Sequence, residues 1–386
     1  MAPPVVYLDN AASTPTRPAA IEAMLPLLTE SYGNPSGAHR MARDARRAID
    51  DARDVLAVGL GCLPGEVVFT GGGTEADNLA VFGVVEARPG AVLCSAVEHP
   101  AVLAPVEKLG GRTIPVDRDG LLDMEGLAEA LHPGVSLVSV MLANNETGVV
   151  QPLEPIAELL AERAPEALLH TDAVQAFPWL DVAALAAPAH LVSVAAHKFG
   201  GPKGVGALVV RDGVALAPQL IGGGQERGRR SGTHNAAGIV GMAAAAEATV
   251  ADRAATSARI GALRDRLADG LIATIDGTIE TAMVPHADRT DRGHKVAGSC
   301  HLCFAGIESE ALLFLLEREG ILASAASSCS SGAQAPSHVL AAMGYAREVA
   351  AGSLRLSLGY ASTDHDIDEA MRVLPEAVAH LRAHGS

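Results

Sequence analysis

The sequence predicts an α/β protein with a mostly parallel β-sheet in a large domain, followed by a smaller α+β domain. For about the first 250 residues, short apolar runs alternate with alanine-rich stretches of helical periodicity, the pattern of repeated β–α units. The apolar runs are rich in Val and Leu and lack period-two alternation, so both faces of the sheet should be covered. A chain of 386 residues has room for two domains of roughly 100–200 residues each.

Several of the apolar runs are predicted to be buried strands of this sheet. They lie at residues 66–70, 91–95, 137–142, 167–170, 191–195 and 206–210. Residues 41–56 between them place Ala45, Ile49 and Leu56 on one face and charged residues on the other, which predicts an amphipathic helix. Residues 156–163 follow Pro155, which favours the start of a helix.

The pattern changes after a long helical stretch at residues 235–273. It then predicts, in order, a strand at 301–304, a helix at 309–319, a helix at 337–343, a strand at 354–358 and a helix at 366–382. We therefore predict a large domain at residues 13–255 and a small α+β domain formed by residues 1–12 and 256–386.

Charge and cysteine content exclude several classes of function. The formal net charge of −16 argues against a general nucleic-acid-binding or membrane-surface role. No apolar run approaches the roughly 20 residues that span a bilayer, and the first residues do not resemble a signal peptide. The 5 cysteines are odd in number and sparse, so we expect no disulfide framework and a cytoplasmic location.

Two polar residues follow predicted buried strands and suggest cofactor chemistry. Lys198 comes directly after the strand at 191–195, and ligands of open α/β sheets bind at the carboxyl ends of strands. A lysine that loses solvent there has a lowered pKa and can form a Schiff base. Asp172 follows another strand, and it could keep a pyridine nitrogen protonated or simply cap a helix. Gln175 lies three residues further on and could hydrogen-bond a ring hydroxyl.

Two further segments have a composition that suits a site. The sequence GGGTEADN at residues 71–78 follows a strand and opens a predicted helix, so its free backbone N–H groups could cradle a phosphate. Residues 323–335 contain no bulky apolar side chain, which predicts an exposed loop and makes Cys329 an accessible thiol. The pair Cys300 and Cys303 has no second cysteine pair nearby, so we predict a strand there and no metal site.

Together these residues resemble the class V group of fold-type I pyridoxal-phosphate enzymes. The similarity is greatest to cysteine desulfurases of the type that serves nitrogenase and general iron–sulfur assembly. It runs from about residue 6 to residue 382 and includes YLDNAASTP, YGNPSGAH, AVEHPAV, ANNETGVVQP, GGGQERGRRSGT and SLRLSLG in the same order.

The resemblance implies that pyridoxal 5′-phosphate is the cofactor and assigns residues to it. Lys198 would carry the cofactor covalently, Asp172 would pair with its ring nitrogen, and His99 would stack on the ring and assist proton transfer. Gln175 and Asn145 would contact the ring hydroxyl and neighbouring polar groups. The residues that would hold the phosphate are Gly73, Thr74, His197 and, from the other subunit of a homodimer, Thr233.

The resemblance also implies the substrate and the reaction. Arg355 would clamp the carboxylate of L-cysteine, with Asn10 and Asn145 nearby, because a guanidinium forms paired hydrogen bonds with a carboxylate. L-Cysteine would become L-alanine, and Cys329 would take the sulfur as a persulfide. A protein would then accept that sulfur, such as an iron–sulfur scaffold or a thiolation protein, with no direct contact to nucleic acid or membrane.

The sequence departs from the family pattern at three places, of which the Cys300 and Cys303 pair with His301 is one, and three alternative functions stay open. Ala195 stands where the family usually has a phosphate-binding serine, and residues 326–330 read ASSCS where GSAC followed by Thr is usual. Another class V enzyme, an aminotransferase or a selenocysteine lyase, is one alternative, although a transaminase does not need Cys329. A non-catalytic scaffold would be free to lose Lys198, and a nicotinamide oxidoreductase would need a GxGxxG after the first strand.

Overall fold

The computed structural model describes residues 5–283, 292–325 and 337–384. The strands of these residues are β1 (Val6–Tyr7), β2 (Val67–Thr70), β3 (Ala91–Ser95), β4 (Arg112–Ile114), β5 (Val135–Ser139), β6 (Leu168–Asp172), β7 (Leu191–Ala195), β8 (Gly206–Val210), β9 (Thr278–Glu280), β10 (Ser299–Phe304), β11 (Ile321–Leu322) and β12 (Ser353–Ser357). The helices are α1 (Pro18–Thr29), α2 (Arg40–Leu60), α3 (Gly73–Ala87), α4 (Pro100–Lys108), α5 (Met124–Ala130), α6 (Leu153–Arg163), α7 (Val182–Leu185), α8 (Ala236–Thr274), α9 (Ser309–Arg318), α10 (His338–Ala342), α11 (Arg347–Ala350) and α12 (Asp364–His384).

A seven-stranded sheet in the order β2-β8-β7-β6-β5-β3-β4 forms the centre of the part of the chain that precedes α8. The strands from β7 to β4 run parallel to their neighbours, whereas β8 is antiparallel to both β2 and β7. Most of its strand residues are buried, as a sheet covered on both faces requires. The predicted α/β class with a mostly parallel sheet is therefore confirmed.

Most predicted elements are found, but the limits of three strands of the sheet (β2, β5 and β6) differ from the predicted ones and a fourth strand was not predicted. Strands β3, β7 and β8 have the predicted limits. The strand predicted at 137–142 lies at Val135–Ser139 instead, because residues 140–143 are buried as a loop and continue the apolar run. Strand β4 was not predicted, since it is a short edge strand with two of its three residues exposed.

Helix α8 spans two clusters of buried side chains. Its first half packs Ile239 and Met242 among residues of the seven-stranded sheet. Its second half packs Ile260 and Leu267 among residues of the antiparallel sheet β12-β10-β9. Strand β1 pairs in parallel with β11, so the first described residues lie with the C-terminal elements. The proposed division at residues 13–255 against 1–12 and 256–386 stays a prediction.

Strand β10 contains the paired cysteines of the CxxC sequence. Cys300 and Cys303 are both buried, and burial raises the pKa of each thiol to about 12. The strand predicted there is confirmed. Across the described ranges, no cluster of three or more His, Cys, Asp or Glu side chains could hold a metal ion. None of the helices described above is long and apolar enough to cross a membrane.

Candidate active site

The parallel strands direct their carboxyl ends toward a cleft of about 390 Å³. Asp172 is the last residue of β6, and Lys198 ends a short 3₁₀ turn that follows β7 directly. Asn145 lies in the loop after β5. Because these strands are neighbours in the sheet, side chains far apart in sequence meet at one edge. Predicted site residues that line the cleft are Gly73, Thr74, His99, Asn145, Asp172, Gln175, His197, Lys198 and Arg355.

Lys198 is a half-buried amine held by backbone carbonyls. Its Nζ donates to the carbonyl oxygens of Ala11 at 2.5 Å and of Ala12 at 3.1 Å. Burial, and next the nearby positive charge of Arg355, lowers the pKa of Lys198 to about 8. A substantial fraction of the amine is therefore neutral at weakly alkaline pH, the form that condenses with an aldehyde. Gln175 Nε2 donates to the same Ala11 carbonyl at 2.6 Å, which fixes the amide beside the lysine.

Asp172 is a buried carboxylate at the floor of the cleft. Its Oδ1 accepts a hydrogen bond from the backbone N–H of Val174 at 2.8 Å. Burial raises the pKa of Asp172, while that hydrogen bond and the charge of Lys198 act in the opposite direction. A cation above the carboxylate, such as a protonated ring nitrogen, would compensate the cost of keeping its charge buried.

His99 is a neutral imidazole with a defined tautomer. It precedes α4 as its N-terminal cap, and its Nδ1 accepts the backbone N–H of Ala101 at 3.1 Å. Burial, followed by the charges of Lys198 and His338, lowers the pKa of His99 to about 4. Because Nδ1 accepts a hydrogen bond, the proton of the neutral ring resides on Nε2.

The N-terminus of α3 forms an anion cradle at one end of the cleft. Gly72 precedes the helix with a φ of 148°, and no side chain caps the first backbone N–H groups. A Cβ on Gly73 would lie 3.0 Å from Val174 Cγ2, so glycine allows the helix to approach the floor of the cleft. Thr74 and His197 flank the same end. Free N–H groups and the helix dipole together favour a phosphate.

Ala195 stands beside this cradle, at the position where the family usually has a phosphate-binding serine. Its side chain is buried and lines the cleft beside Gly73. A methyl group donates no hydrogen bond, so the residues around it must supply the phosphate contacts. Lys203, which was not assigned from the sequence, lines the adjoining open cleft together with Thr74 and His197. Its ammonium group offers an additional positive charge close to the cradle.

These residues fit pyridoxal 5′-phosphate. Lys198 provides an amine for its aldehyde, Asp172 a carboxylate for its ring nitrogen, and the start of α3 a cradle for its phosphate. The three groups lie around a single cleft. Each matches one functional group of the cofactor by charge and hydrogen bonding.

Arg355 lies on β12 and lines the cleft. Its Nη2 donates to Asp9 Oδ1 at 2.9 Å, and its Nη1 donates to the carbonyl oxygen of Asn145 at 3.0 Å. Its Nε is buried and has no hydrogen-bond partner among the described residues. A guanidinium oriented in this way, with its Nε–H still without a partner, is suited to hold a carboxylate.

Asn10 is placed differently from the other predicted substrate residues. Its Nδ2 donates to the carbonyl oxygens of Tyr7 at 3.2 Å and Ser357 at 3.0 Å. The side chain lines a small cavity of about 20 Å³ next to Lys198, and it is not among the residues lining the larger cleft. The backbone contacts show a role in joining β1 to β12, and contact with a substrate stays a prediction.

Thr233, like Asn10, is not brought to the cleft by the described part of one chain. Thr233 is exposed and does not line it. Cys329 lies outside the described residues. The residues that flank it on either side do reach the cleft: Ser324 forms a β-bridge with Arg355, and Ser337 Oγ donates to Glu146 Oε2 at 2.5 Å.

The cleft also contains acid–base groups that the sequence analysis missed. Glu146 is buried, and burial raises its pKa to about 7 despite the hydrogen bond from Ser337. His338, the first residue of α10, is exposed and lines the cleft. Glu146 is part of the motif ANNETGVVQP, which the resemblance had included without assigning this residue. No sequence spacing relates His338 to the strands, so only the fold reveals its location.

A buried ion pair fixes the loop that contains Thr233. Glu226 accepts hydrogen bonds from Arg53 at 2.7 and 2.8 Å and from the backbone N–H of Phe69 at 2.9 Å, and it lies 2.7 Å from His234 Nε2. Burial alone would raise the pKa of Glu226, but the hydrogen bonds from Arg53 and His234 lower it to about 2. The pair therefore stabilises the fold only while Glu226 is ionised.

Replacing Arg53 with methionine is expected to lower the free energy of unfolding by about 3–5 kcal/mol, because Glu226 would stay buried without its cation. Urea unfolding followed by circular dichroism measures this loss. The exposed Arg163, paired with Glu162, provides the control, and Arg163→Met should cost less than about 1 kcal/mol. Equal losses for the two variants would contradict the role of the buried pair.

The contribution of Glu226 to the free energy of unfolding should also depend on pH. Its pKa is about 2 in the folded chain, compared with about 4.3 when unfolded. The stabilisation is therefore present above the unfolded pKa and disappears as the pH falls through the folded pKa. The difference in the free energy of unfolding between the native chain and Glu226→Gln should therefore decrease as the pH falls from about 4.3 to about 2.

Comparisons with known proteins show which family this chain resembles along its length. A family model described as aminotransferase class-V matches residues 6–370. An IscS-like cysteine desulfurase of Mycobacterium tuberculosis is 45% identical over 98% of this chain and 97% of that protein. The cysteine desulfurase NifS of Azotobacter vinelandii is 40% identical over 98% of this chain and 93% of its own length. A solved NifS-like protein has a TM-score of 0.89 at 33% identity, with 98% of this chain and 100% of that chain covered.

Proposed function

Because the chain belongs to the class V aminotransferase family and, within it, to the cysteine desulfurases, we propose that it converts L-cysteine to L-alanine with Cys329 receiving the sulfur. The enzyme depends on pyridoxal phosphate and has the type I fold of such enzymes. The observation that supports the proposal most strongly is the single cleft shared by Lys198, Asp172 and Arg355. Cys329 adds the thiol that a transaminase does not need.

Each residue of the cleft has a task that its surroundings support. When bound, the cofactor withdraws electrons from the substrate carbon next to the amino group. Asp172 stabilises the positive ring nitrogen that this requires. Lys198, with its lowered pKa, accepts and returns the proton at that carbon. His99 is neutral and presents its Nε2–H as a hydrogen-bond donor within the cleft.

Arg355 is proposed to bind the substrate carboxylate, since it is the guanidinium that lines the cleft. Arg355→Gln is expected to raise the KM for L-cysteine by about 10- to 100-fold, the range expected for lost hydrogen bonds to a charged group. Steady-state kinetics of alanine formation measures the change. Arg372→Gln, at an exposed pair with Glu369, is the matched control and should leave KM unaltered. A KM that stays constant in Arg355→Gln would contradict the assignment.

We also propose that the active form is a homodimer in which Thr233 reaches the phosphate of the partner subunit. Two features of the structure support this: Thr233 is exposed on the loop fixed by Arg53 and Glu226, and large apolar residues are exposed elsewhere on the surface. They include Ile21, Leu25 and Leu28 on α1, and Leu220 with Ile221. Sedimentation of the holoenzyme should give twice the chain mass, and a monomer with full activity would contradict the proposal.

The acceptor of the sulfur is proposed to be a protein of iron–sulfur assembly or thiolation, in the cytoplasm. The names of the relatives support a sulfur-delivering role, and the net charge of −16 favours a protein acceptor over direct contact with nucleic acid. Cys62, Cys94, Cys300 and Cys303 are free thiols, which suits a reducing compartment.

The proposed function is tested by supplying L-cysteine and a reductant to the holoenzyme and quantifying alanine and sulfide. Equal amounts of both products are expected. Sulfide-free conversion that requires an oxo-acid would indicate an aminotransferase. Activity with selenocysteine but none with cysteine would indicate a selenocysteine lyase.

A further inference from the structure

His301 is a fully buried histidine on β10 that the proposed function does not use. Its register partner on the antiparallel neighbour β12 is Arg355. The backbone N–H and carbonyl of Arg355 bond Ser324, and the carbonyl of His301 accepts the N–H of Thr281, so both residues direct these groups away from each other. They therefore form a non-hydrogen-bonded pair, the kind in which the Cα atoms are about 4.5 Å apart and the side chains are closest.

Both side chains of this pair have a buried nitrogen without a hydrogen-bond partner among the described residues. These nitrogens are Nε2 of His301 and Nε of Arg355. His301 Nδ1 lies 2.9 Å from Thr281 Oγ1, and that hydroxyl lies 3.4 Å from the His301 carbonyl oxygen. The hydroxyl can donate to the carbonyl and accept from the ring, which places the proton of the neutral ring on Nδ1. Nε2 then keeps its lone pair, and the Nε–H of the guanidinium is a matching donor.

His301 is a neutral acceptor in the folded chain. Burial, followed by the positive charges of Lys295 and Arg355, lowers the pKa of His301 to about 3. A neutral acceptor can orient a guanidinium without cancelling its positive charge, whereas the Asp9 carboxylate, 2.9 Å from Nη2, also offsets that charge. Because a buried donor or acceptor without a partner costs free energy, a contact between the two nitrogens stabilises both side chains.

We propose that His301 is a positioning residue for Arg355, with its Nε2 accepting the Nε–H of the guanidinium in the holoenzyme. This inference rests on the proposed function, in which Arg355 binds the carboxylate of L-cysteine. A guanidinium has five N–H bonds. Asp9, the Asn145 carbonyl and His301 take one each, which leaves one N–H on Nη1 and one on Nη2 for the carboxylate. The plane of the guanidinium is thereby fixed before the substrate arrives.

Variants of His301 test this inference through the binding of L-cysteine. His301→Leu has no acceptor, and His301→Gln keeps one at about the reach of Nε2. In steady-state alanine formation by the holoenzyme, His301→Leu should raise KM about 5- to 10-fold and leave kcat near its native value, the effect of one lost hydrogen bond. His301→Gln should restore most of the loss. Cys303→Ala, a buried change on the same strand, is the matched control and should leave KM unaltered.

Two further comparisons separate positioning from a general structural role. Cysteamine has the amine and thiol of L-cysteine but no carboxylate, so its binding, followed by the absorbance of the cofactor, should be equal in native enzyme and His301→Leu. In an Arg355→Gln background, His301→Leu should raise KM no further, because the side chain that it positions is absent. Weaker binding of cysteamine, an additional rise in that background, or a native KM in His301→Leu overturns the inference.

Nitrogen NMR of the holoenzyme tests the contact without any change at His301. With isotopically labelled histidine, the Nε2 resonance of His301 should be that of an unprotonated nitrogen, and it should move in Arg355→Gln because the acceptor loses its donor. A resonance that stays in place overturns this inference alone. A native KM for L-cysteine in Arg355→Gln overturns it together with the carboxylate site of the proposed function.

Discussion

Lys198→Ala is expected to abolish both the cofactor's covalent attachment and alanine formation. The Lys198 amine is the one positioned at the carboxyl end of β7 beside Asp172, with a pKa lowered to about 8 by burial. Because the same amine anchors the cofactor and moves the substrate proton, turnover should fall by more than about 1,000-fold. The absorbance spectrum of the purified protein and the rate of alanine release measure the two losses.

Lys108→Ala is the matched control for this variant. Lys108 is exposed at the end of α4, with its amine 5.7 Å from the centre of the Phe82 ring. Loss of the Lys108 amine should leave the absorbance spectrum and the rate of alanine release at their native values. Native absorbance and turnover in Lys198→Ala would show that another group anchors the cofactor, and the assignment of the cleft would fail.

Cys329→Ser is expected to bind L-cysteine and the cofactor normally but to release no alanine or sulfide above background. A serine hydroxyl has the size of the thiol but cannot accept sulfur as a persulfide. The loss should again exceed about 1,000-fold, because the sulfur has no acceptor. The absorbance change on adding L-cysteine should remain, which separates this variant from Lys198→Ala. Cys62→Ser is the control, since burial raises the pKa of that thiol to about 11 and it does not line the cleft.

The sequence was sufficient to predict most strands of the seven-stranded sheet and the residues at the floor of the cleft. Lys198 follows the Val- and Leu-rich strand β7 and Asp172 is the last residue of β6, and parallel neighbours bring such positions together without further information. The edge strand β4 was missed because an exposed three-residue strand has no apolar signature. The limits of β5 were misplaced because apolar residues continue into the buried loop that leads to Asn145.

Hydrogen bonds between distant segments account for what the sequence did not reveal. The resemblance placed Asn10 near the substrate carboxylate. Only the structure shows that its amide donates a hydrogen bond to the carbonyl oxygen of Ser357 on β12. Hydrogen bonds with Glu98 and Ser337 hold His338 and Glu146 beside the cleft. Neither contact follows from propensity or periodicity, since each depends on where two loops meet in the folded chain.

The central claim is that sulfur from L-cysteine is carried by Cys329, and an isotope measurement tests it most directly. The holoenzyme receives L-cysteine labelled with heavy sulfur in the absence of reductant, is alkylated, and is digested for mass spectrometry. The account predicts one labelled sulfur on the peptide that contains Cys329, with alanine formed in equal amount. Alanine formation while that peptide carries no labelled sulfur would contradict the account.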